Sequence, residues 1–356
     1  MDDIKTLREE INLIDKDMAR LFEKRMAVLK KIAIYKGENN LPIFDIDREK
    51  EVIERCKGYI EDKSLENYYV NFQFDVMKLS RKYQEALLSG KKVAYCGTFG
   101  AYAYIAANKM YTDPSLVAYS TFKYAFDSVS NGECDACVLP IENSYAGDVG
   151  EVMDLIFQGN LYVNNILELE IVHNLLVNKG TKIENIKTVI SHPQAISQCQ
   201  EFLSRYEFDV KEEANTAIAA KKLALSGRDD IAVIASSETA KIFNLEILKE
   251  KINDSNTNTT RFASFSNTLN ATEGNHFIIV FTVKNEAGAL ARCLDIIGAH
   301  NFNMKNLRSR PLKNLMWTYY FFVELEGNLN TQDAKDMLLA LKAFCDKLKV
   351  VGSYKL

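Results

Sequence analysis

Three things are missing from this chain. It has no basic cluster, no membrane-length apolar stretch and no paired cysteine spacing. Its 44 Lys and Arg against 48 Asp and Glu give a net charge of −4. No basic tail or stripe offers itself to nucleic acid. The longest apolar runs, such as Phe277–Phe281, are strand-sized, so no membrane span is expected. Met1-Asp2-Asp3 opens the chain without a basic-then-apolar leader, so a cytoplasmic location is expected. Asn-x-Thr triplets such as Asn270-Ala271-Thr272 then carry no glycosylation meaning. The seven cysteines are odd in number and scattered, which excludes a disulfide framework. Cys134-Asp135-Ala136-Cys137 is a lone CxxC with no second pair and no histidine at ligand spacing. Neither metal nor cofactor is expected. At 356 residues the chain has room for two or three domains.

What is present begins with a long helix. Ile4, Leu7, Ile11, Ile14, Met18, Leu21, Val28, Ile32 and Tyr35 follow alternating three–four spacing, the seam of a helix packed on other helices. Gly37 is expected to end it, and Pro42 hinders a restart. Arg25 occupies a seam position between Leu21 and Val28. A guanidinium there needs an anion, supplied either by a core glutamate or by a ligand. Lys36 lies eleven residues on, close to three turns, and so shares the Arg25 face. Arg8 lies seventeen residues before Arg25, roughly 25 Å away at about 1.5 Å per residue. If Arg8 and Arg25 serve one small anion, Arg8 comes from a second copy of the chain.

Asp45 is placed to cap a second helix, on which Glu49, Val52, Ile53, Cys56 and Ile60 share a face with Arg48 beside them. Ser64 is expected to cap a third. There Ser80 and Gln84 lie one turn apart and can reach one ligand. Cations, a carboxylate, a hydroxyl and an amide together suit a small polyfunctional anion.

After the Ser89–Lys92 linker the pattern becomes α/β. Strands are expected at Val93–Cys96, Leu116–Tyr119, Ala136–Leu139, Thr188–Ile190 and Ile231–Ala235, with helical segments at Pro193–Arg205 and Asn215–Leu225. Polar loops at Gly97–Gly100, Pro140–Ser144 and Ser191–Gln194 are read as opening helices, a place where backbone amides bind carboxylates or where side chains simply cap. Asn253–Thr260 reads as a disordered linker by composition, and Thr260–Phe265 as a strand. From residue 275 the order is strand His276–Val283, helix Ala289–Ala299, strands Met304–Leu312 and Thr318–Glu326, helix Thr331–Lys347 and strand Lys349–Tyr354, a βαββαβ pattern. Gly288 stands at its first strand-to-helix junction, leaving room for a small ligand or a neighbouring chain.

These three units, in this order, resemble the bifunctional chorismate mutase–prephenate dehydratase family. The resemblance implies a multidomain α and α/β fold: an all-helical mutase domain at 1–89, a two-lobed, periplasmic-binding-protein-like α/β dehydratase domain at 91–267, and a ferredoxin-like ACT domain at 275–356. It implies a cofactor-free enzyme of phenylalanine biosynthesis. Chorismate becomes prephenate by pericyclic rearrangement, and prephenate becomes phenylpyruvate with loss of water and CO2. Its partners would be those two substrates, phenylalanine as effector, and a second copy in a homodimer or tetramer.

By that resemblance Arg8 and Arg25 clamp carboxylates, and Lys36 and Gln84 donate to the ether oxygen. Glu49 and Asp45 hold the ring hydroxyl, supported by Arg48 and Ser80. The Thr-Arg-Phe motif stands at Thr260-Arg261-Phe262, with Thr260 as donor to the departing hydroxyl and Arg261 holding the threonine or a carboxylate. The Ile-Glu-Asn segment supplies Glu142, Asn143 and the following Ser144. Ser-His-Pro-Gln supplies Ser191, with Gln198 one turn beyond Gln194. The effector site would use Gly288, Ala289 and Leu290 together with Arg308, Ser309, Arg310 and Pro311.

Two departures from the family pattern stand out. Gly100-Ala101-Tyr102-Ala103 replaces the usual Gly-Ser-Tyr-Ser, and Arg308 replaces the glutamate of Glu-Ser-Arg-Pro. They keep open a working mutase joined to a non-catalytic ligand-binding module, or to an arogenate dehydratase.

Overall fold

The computed structural model describes residues 3–39, 41–255, 257–270, 274–312 and 318–356, and the chain divides into two compact units. The first spans essentially residues 1–92. It holds three helices, α1 (Ile4–Glu38), α2 (Ile46–Lys57) and α3 (Glu66–Ser89). Helix α1 runs through Gly37, which does not stop it, because helical backbone continues to Glu38 and Asn39 caps the end. Asp45 caps α2 by accepting from the Arg48 amide. Ser64 does not cap α3. It sits in a short 3-10 turn that Asp62 caps, and α3 starts two residues later.

The C-terminal half of α1 packs on α3, and Ala33 is its buried point. The N-terminal half is different. Ile4, Ile11, Ile14 and Leu21 are each more than half exposed in the single chain. The first five turns of the seam read from the sequence are therefore uncovered among the described residues.

The second unit is mixed α/β and carries two sheets. The larger orders its main strands as Asn303–Pro311, Tyr319–Glu326, His276–Thr282, Lys347–Tyr354, Tyr162–Glu170, Thr259–Ser266, Ala136–Asn143, Lys92–Cys96 and Ser115–Tyr119. The smaller has five strands: Glu246–Lys249, Asn174–Val177, Ile231–Ala235, Thr188–Ser191 and Asp209–Glu212. The chain passes between the sheets twice, at residues 171–173 and 250–258, which gives two lobes joined by two crossings. Val, Ile, Leu and Phe on the central strands fill the core of each lobe. Gly352 lets strand Lys347–Tyr354 meet strand Tyr162–Glu170, since a Cβ there would lie 2.6 Å from the Val163 carbonyl oxygen.

Several expectations change. Asn253–Thr260 is an ordered crossing: the Asn253 side chain bonds the His173 amide and the Ile171 carbonyl, Asn258 is buried, and Thr259 and Thr260 open a strand. Asn256 of that run, like Ala271 and Thr272 of the triplet, lies outside the described residues. Pro140–Ser144 opens no helix. It continues its strand and turns into Gly147–Asp148, and the next helix starts at Gly150. Pro193–Arg205 breaks into Pro193–Ser197 and Gln200–Leu203. The last helix is Gln332–Lys342, capped by Thr331, so the final strand begins at Lys347.

Candidate active sites

Each unit has a cavity lined by polar side chains. The first, about 650 Å3, lies among α1, α2 and α3. It brings together Arg25, Lys36, Asp45, Arg48, Glu49, Ser80 and Gln84. Arg8 is not among them. It is exposed on the unpartnered half of α1, as the reach argument requires. Arg55, Arg81 and Gln73 also line the cavity, and helical spacing alone gave them no distinguishing mark. Five cations against Asp45 and Glu49 leave the lining net positive, suited to a dianion.

Arg25 meets no glutamate among the described residues. It donates to Ser80 Oγ at 2.5 Å, and that hydroxyl donates to the Val76 carbonyl at 2.5 Å. Burial lowers the Arg25 pKa, so the site holds a desolvated cation with capacity to spare. Lys36 Nζ caps the Ile43 carbonyl at 2.8 Å, Glu49 pairs with Arg81, and Arg48 reaches outward to Glu51 at 2.8 Å. Gln84 donates Nε2 to the Ser80 carbonyl at 3.2 Å, while its buried Oε1 has no partner among the described residues.

The second cavity, about 450 Å3, lies where the two lobes of the second unit face each other. Asn143, Gln198, Thr260 and Phe262 line it. The reason is the pleat. Thr260 and Asn143 are register partners on adjacent antiparallel strands, so their side chains share one face. Arg261 and Glu142 are the next pair and face the other way. Arg261 therefore holds neither Thr260 nor a ligand in this cavity. It binds Glu324 behind the sheet, with Glu142 Oε2 at 3.5 Å. Ser191 is fully buried and donates to the Ile234 carbonyl at 2.7 Å, and Ser144 bonds the backbone of Thr257 and Thr259. Neither lines the cavity.

A connected set of hydrogen bonds crosses the cavity wall. Asn143 Oδ1 accepts from the amides of Tyr145 and Ala146 at 3.0 and 2.8 Å. Its Nδ2 must then face Thr260 Oγ1, 2.9 Å away, and Asn258 Oδ1, 2.8 Å away. The Thr260 hydroxyl accepts this bond, which leaves its own hydrogen to donate elsewhere. Asn258 Nδ2 in turn lies 2.9 Å from Gln198 Oε1, and His173 Nε2 lies 2.9 Å from the same oxygen. Burial lowers the His173 pKa, against a smaller opposing effect of the Gln198 bond, so the imidazole is neutral at pH 7. His173 and Asn258 were not marked in the sequence, because lone polar residues at a crossing have no periodicity to betray them.

No Asp, Glu, Lys or Arg is among the described residues lining this cavity. Donors around it include the backbone near Gly97 and Ala101 and the Asn143, Gln194 and Gln198 amides. Ala101 and Ala103 do face it, so the two missing hydroxyls fall on the cavity wall.

Around the C-terminal β-α-β-β-α-β segment, Gly288 has φ +81° and precedes helix Ala289–Ala299, with open space where a Cβ would stand. Arg308 is half-buried and pairs with Glu142 and Asp148, and Arg310 pairs with Asp154 at 3.4 Å. These arginines face acidic residues of the successive segments Ala136–Asn143, Gly147–Asp148 and Gly150–Gln158.

The family described as "Chorismate mutase type II" matches residues 7–85, and that described as "Prephenate dehydratase" matches residues 93–269. A bifunctional chorismate mutase/prephenate dehydratase of Buchnera aphidicola is 31% identical over 98% of this chain and 95% of its own length. A protein of the same description from Escherichia coli K12 is 28% identical, covering 98% of this chain and 95% of its own length. Among solved structures, the prephenate dehydratase of Staphylococcus aureus superposes with TM-score 0.67 at 25% identity, over 74% of this chain and 99% of that one. The prephenate dehydratase of Arthrobacter aurescens in complex with L-Phe shares the fold, with TM-score 0.68 at 24% identity over 74% of this chain and 90% of that one.

Proposed function

This chain belongs to the bifunctional chorismate mutase/prephenate dehydratase family, and we propose here which of its residues carry out each reaction. The enzyme converts chorismate to prephenate and prephenate to phenylpyruvate, two steps of phenylalanine biosynthesis. We read residues 1–89 as the mutase domain, 91–267 as the dehydratase domain and 275–356 as an ACT domain.

The rearrangement needs no proton shuttle. It needs a compact chair and stabilisation of charge on the ether oxygen as its carbon–oxygen bond breaks. Arg25 clamps one carboxylate, and Arg8 of a second copy clamps the other. Lys36 leaves the Ile43 carbonyl to donate to the ether oxygen. Gln84 does the same with the second hydrogen of Nε2, the first being held by the Ser80 carbonyl. Glu49 and Asp45 take the ring hydroxyl, with Arg48 and Ser80 as supports. The bare apolar seam of α1, which a second long helix would cover, supports a homodimer.

For dehydration, Thr260 donates to the departing hydroxyl. The observation that carries this is the Asn143 bond into Thr260 Oγ1, which leaves the hydroxyl hydrogen for the substrate. The departing hydroxyl takes up that proton and leaves as water, and Thr260 regains a proton from solvent. The electron pair of the ring-carboxylate bond enters the ring, and the carboxylate departs as CO2. A lining with no Lys or Arg among the described residues suits this step, since an ion pair would stabilise the carboxylate before reaction more than the neutral gas after it. Gln198 and Asn143 orient the substrate. Arg261, Glu142, Ser144 and Ser191 support the strands behind them. Phenylalanine is the effector, bound near Gly288-Ala289-Leu290.

A time course from chorismate alone, resolving three compounds, tests the reading. Prephenate should rise and phenylpyruvate follow. Lasting accumulation of prephenate would leave the second cavity a binding module or a site for arogenate.

A further inference from the structure

The polar set in the dehydratase cavity has one direction, and it can be read from end to end. Asn143 Oδ1 is committed to two backbone amides, so Asn143 can only donate onward. Asn258 must accept from it with Oδ1 and therefore donates with Nδ2 to Gln198 Oε1. With that oxygen fixed as an acceptor, His173 must carry its proton on Nε2 and donate to it as well. Two donors thus converge on Gln198 Oε1 and set the amide orientation. Its Nε2 is left buried, with no partner among the described residues, on a side chain that is itself 8% exposed and lines the cavity. Such a nitrogen is costly unless something accepts from it.

We propose that Asn258 and His173 are positioning residues that hold Gln198 with its N–H groups toward the substrate, and that this makes the cavity select a 2-oxo acid side chain over its 2-amino counterpart. The inference rests on the dehydratase reading above. The keto oxygen accepts from Gln198 Nε2, and it is the one acceptor that the 2-amino counterpart lacks. An ammonium cannot accept, and no Asp or Glu among the described residues lines the cavity to receive it. A buried donor facing another donor is the arrangement by which hydrogen-bonding sites reject an analogue. Asn258 and His173 act only through the amide and touch no reacting atom.

The test compares kcat/KM for prephenate and arogenate in the full-length enzyme and in Asn258→Ala, His173→Phe and the double variant, with mutase activity in each sample as a folding control. Both single changes are neutral, so charge alone cannot shift the preference. The parent enzyme should favour prephenate by tenfold or more. Each single variant should narrow that ratio at least severalfold by releasing the Gln198 amide. The double variant should narrow it little further than the singles, because both residues act on one oxygen. Equal loss on both substrates with the ratio unchanged would mean a merely structural role and would overturn the proposal. A parent enzyme that prefers arogenate would overturn it too. If the parent dehydrates neither compound while the mutase works, the dehydratase reading itself fails and takes this inference with it.

Discussion

Arg261 and Glu324 meet fork to fork, with Nη1 to Oε2 at 2.9 Å and Nη2 to Oε1 at 2.8 Å. The Glu324 side chain is 3% exposed, so the pair is enclosed. Tyr354 also donates to Glu324 Oε1. The residue after Thr260 is thereby tied to the C-terminal strand Tyr319–Glu326. Replacing Glu324 by Gln removes the fork partner of a guanidinium that keeps Glu142 and Glu168 at 3.5 and 3.6 Å, at a cost of about 1.5–3 kcal/mol. Denaturant unfolding of the second unit should show a loss of that order, while mutase activity persists below its onset. An unchanged midpoint would mean that Arg261 has found another anion.

The same pair gives a pH dependence. Burial alone would raise the Glu324 carboxyl, but the bonds from Arg261 and Tyr354 outweigh it and the net shift is downward. A depressed folded-state pKa stabilises above the unfolded value, about 4.3, and that stability is lost as pH falls from there through the lower folded value. Stability of the second unit should therefore drop below about pH 4, with the slope reduced in Glu324→Gln. Melting curves across an acid series measure both slopes.

Thr260→Ala should lower the dehydratase kcat by about 10²–10⁴-fold, the usual worth of a positioned proton donor, with mutase activity unaltered. Thr260→Ser keeps the hydroxyl and should recover part of the rate. Full activity in Thr260→Ala would remove this residue from the chemistry.

Arg25→Ala should lower mutase kcat by about 10²–10³-fold and leave dehydration intact. Arg8→Ala should weaken the mutase as well. The two inactive variants, mixed and refolded together, should regain activity, because a heterodimer has one site with both arginines and one with neither. About half of the parent activity per heterodimer is expected on two-fold symmetry. No recovery in a mixed dimer of confirmed composition would place Arg8 outside the site.

Arg308 stands where the family has glutamate and meets Glu142 and Asp148. Arg308→Glu should crowd three carboxylates and lose the charged bonds, worth about 1.5–3 kcal/mol. Arg308→Lys should lose less. Thermal unfolding ranks the two. Phenylalanine at millimolar concentration should slow dehydration and release or absorb heat in calorimetry. Silence in both would remove the effector reading.

Much of this molecule is local, and local rules reached it. The Arg25 seam, the Asp45 cap, the Ser80–Gln84 turn and the Thr260 strand all follow from spacing along one element, where 3.6-residue and 2-residue periods place a side chain without knowledge of its neighbours. The reach argument for Arg8 is likewise geometry within one helix. Facing and pairing are not local. Arg261 follows Thr260 directly in the chain, yet the pleat sends it to the opposite side of the sheet, and only the adjacent strands supply Glu324 and Glu142. Asn258 and His173 lie in crossings with no period, and they meet Gln198 only because two separate passes of the chain lie side by side. Composition read the run before Thr260 as disorder. In the fold Asn253 bonds the backbone of the neighbouring pass, and Asn258 bonds the Asn143 and Gln198 side chains. The sequence by itself determined which chemical groups are present and which element carries each. The tertiary structure decided which of them meet, since hydrogen bonds and ion pairs depend on distances between segments far apart in the chain.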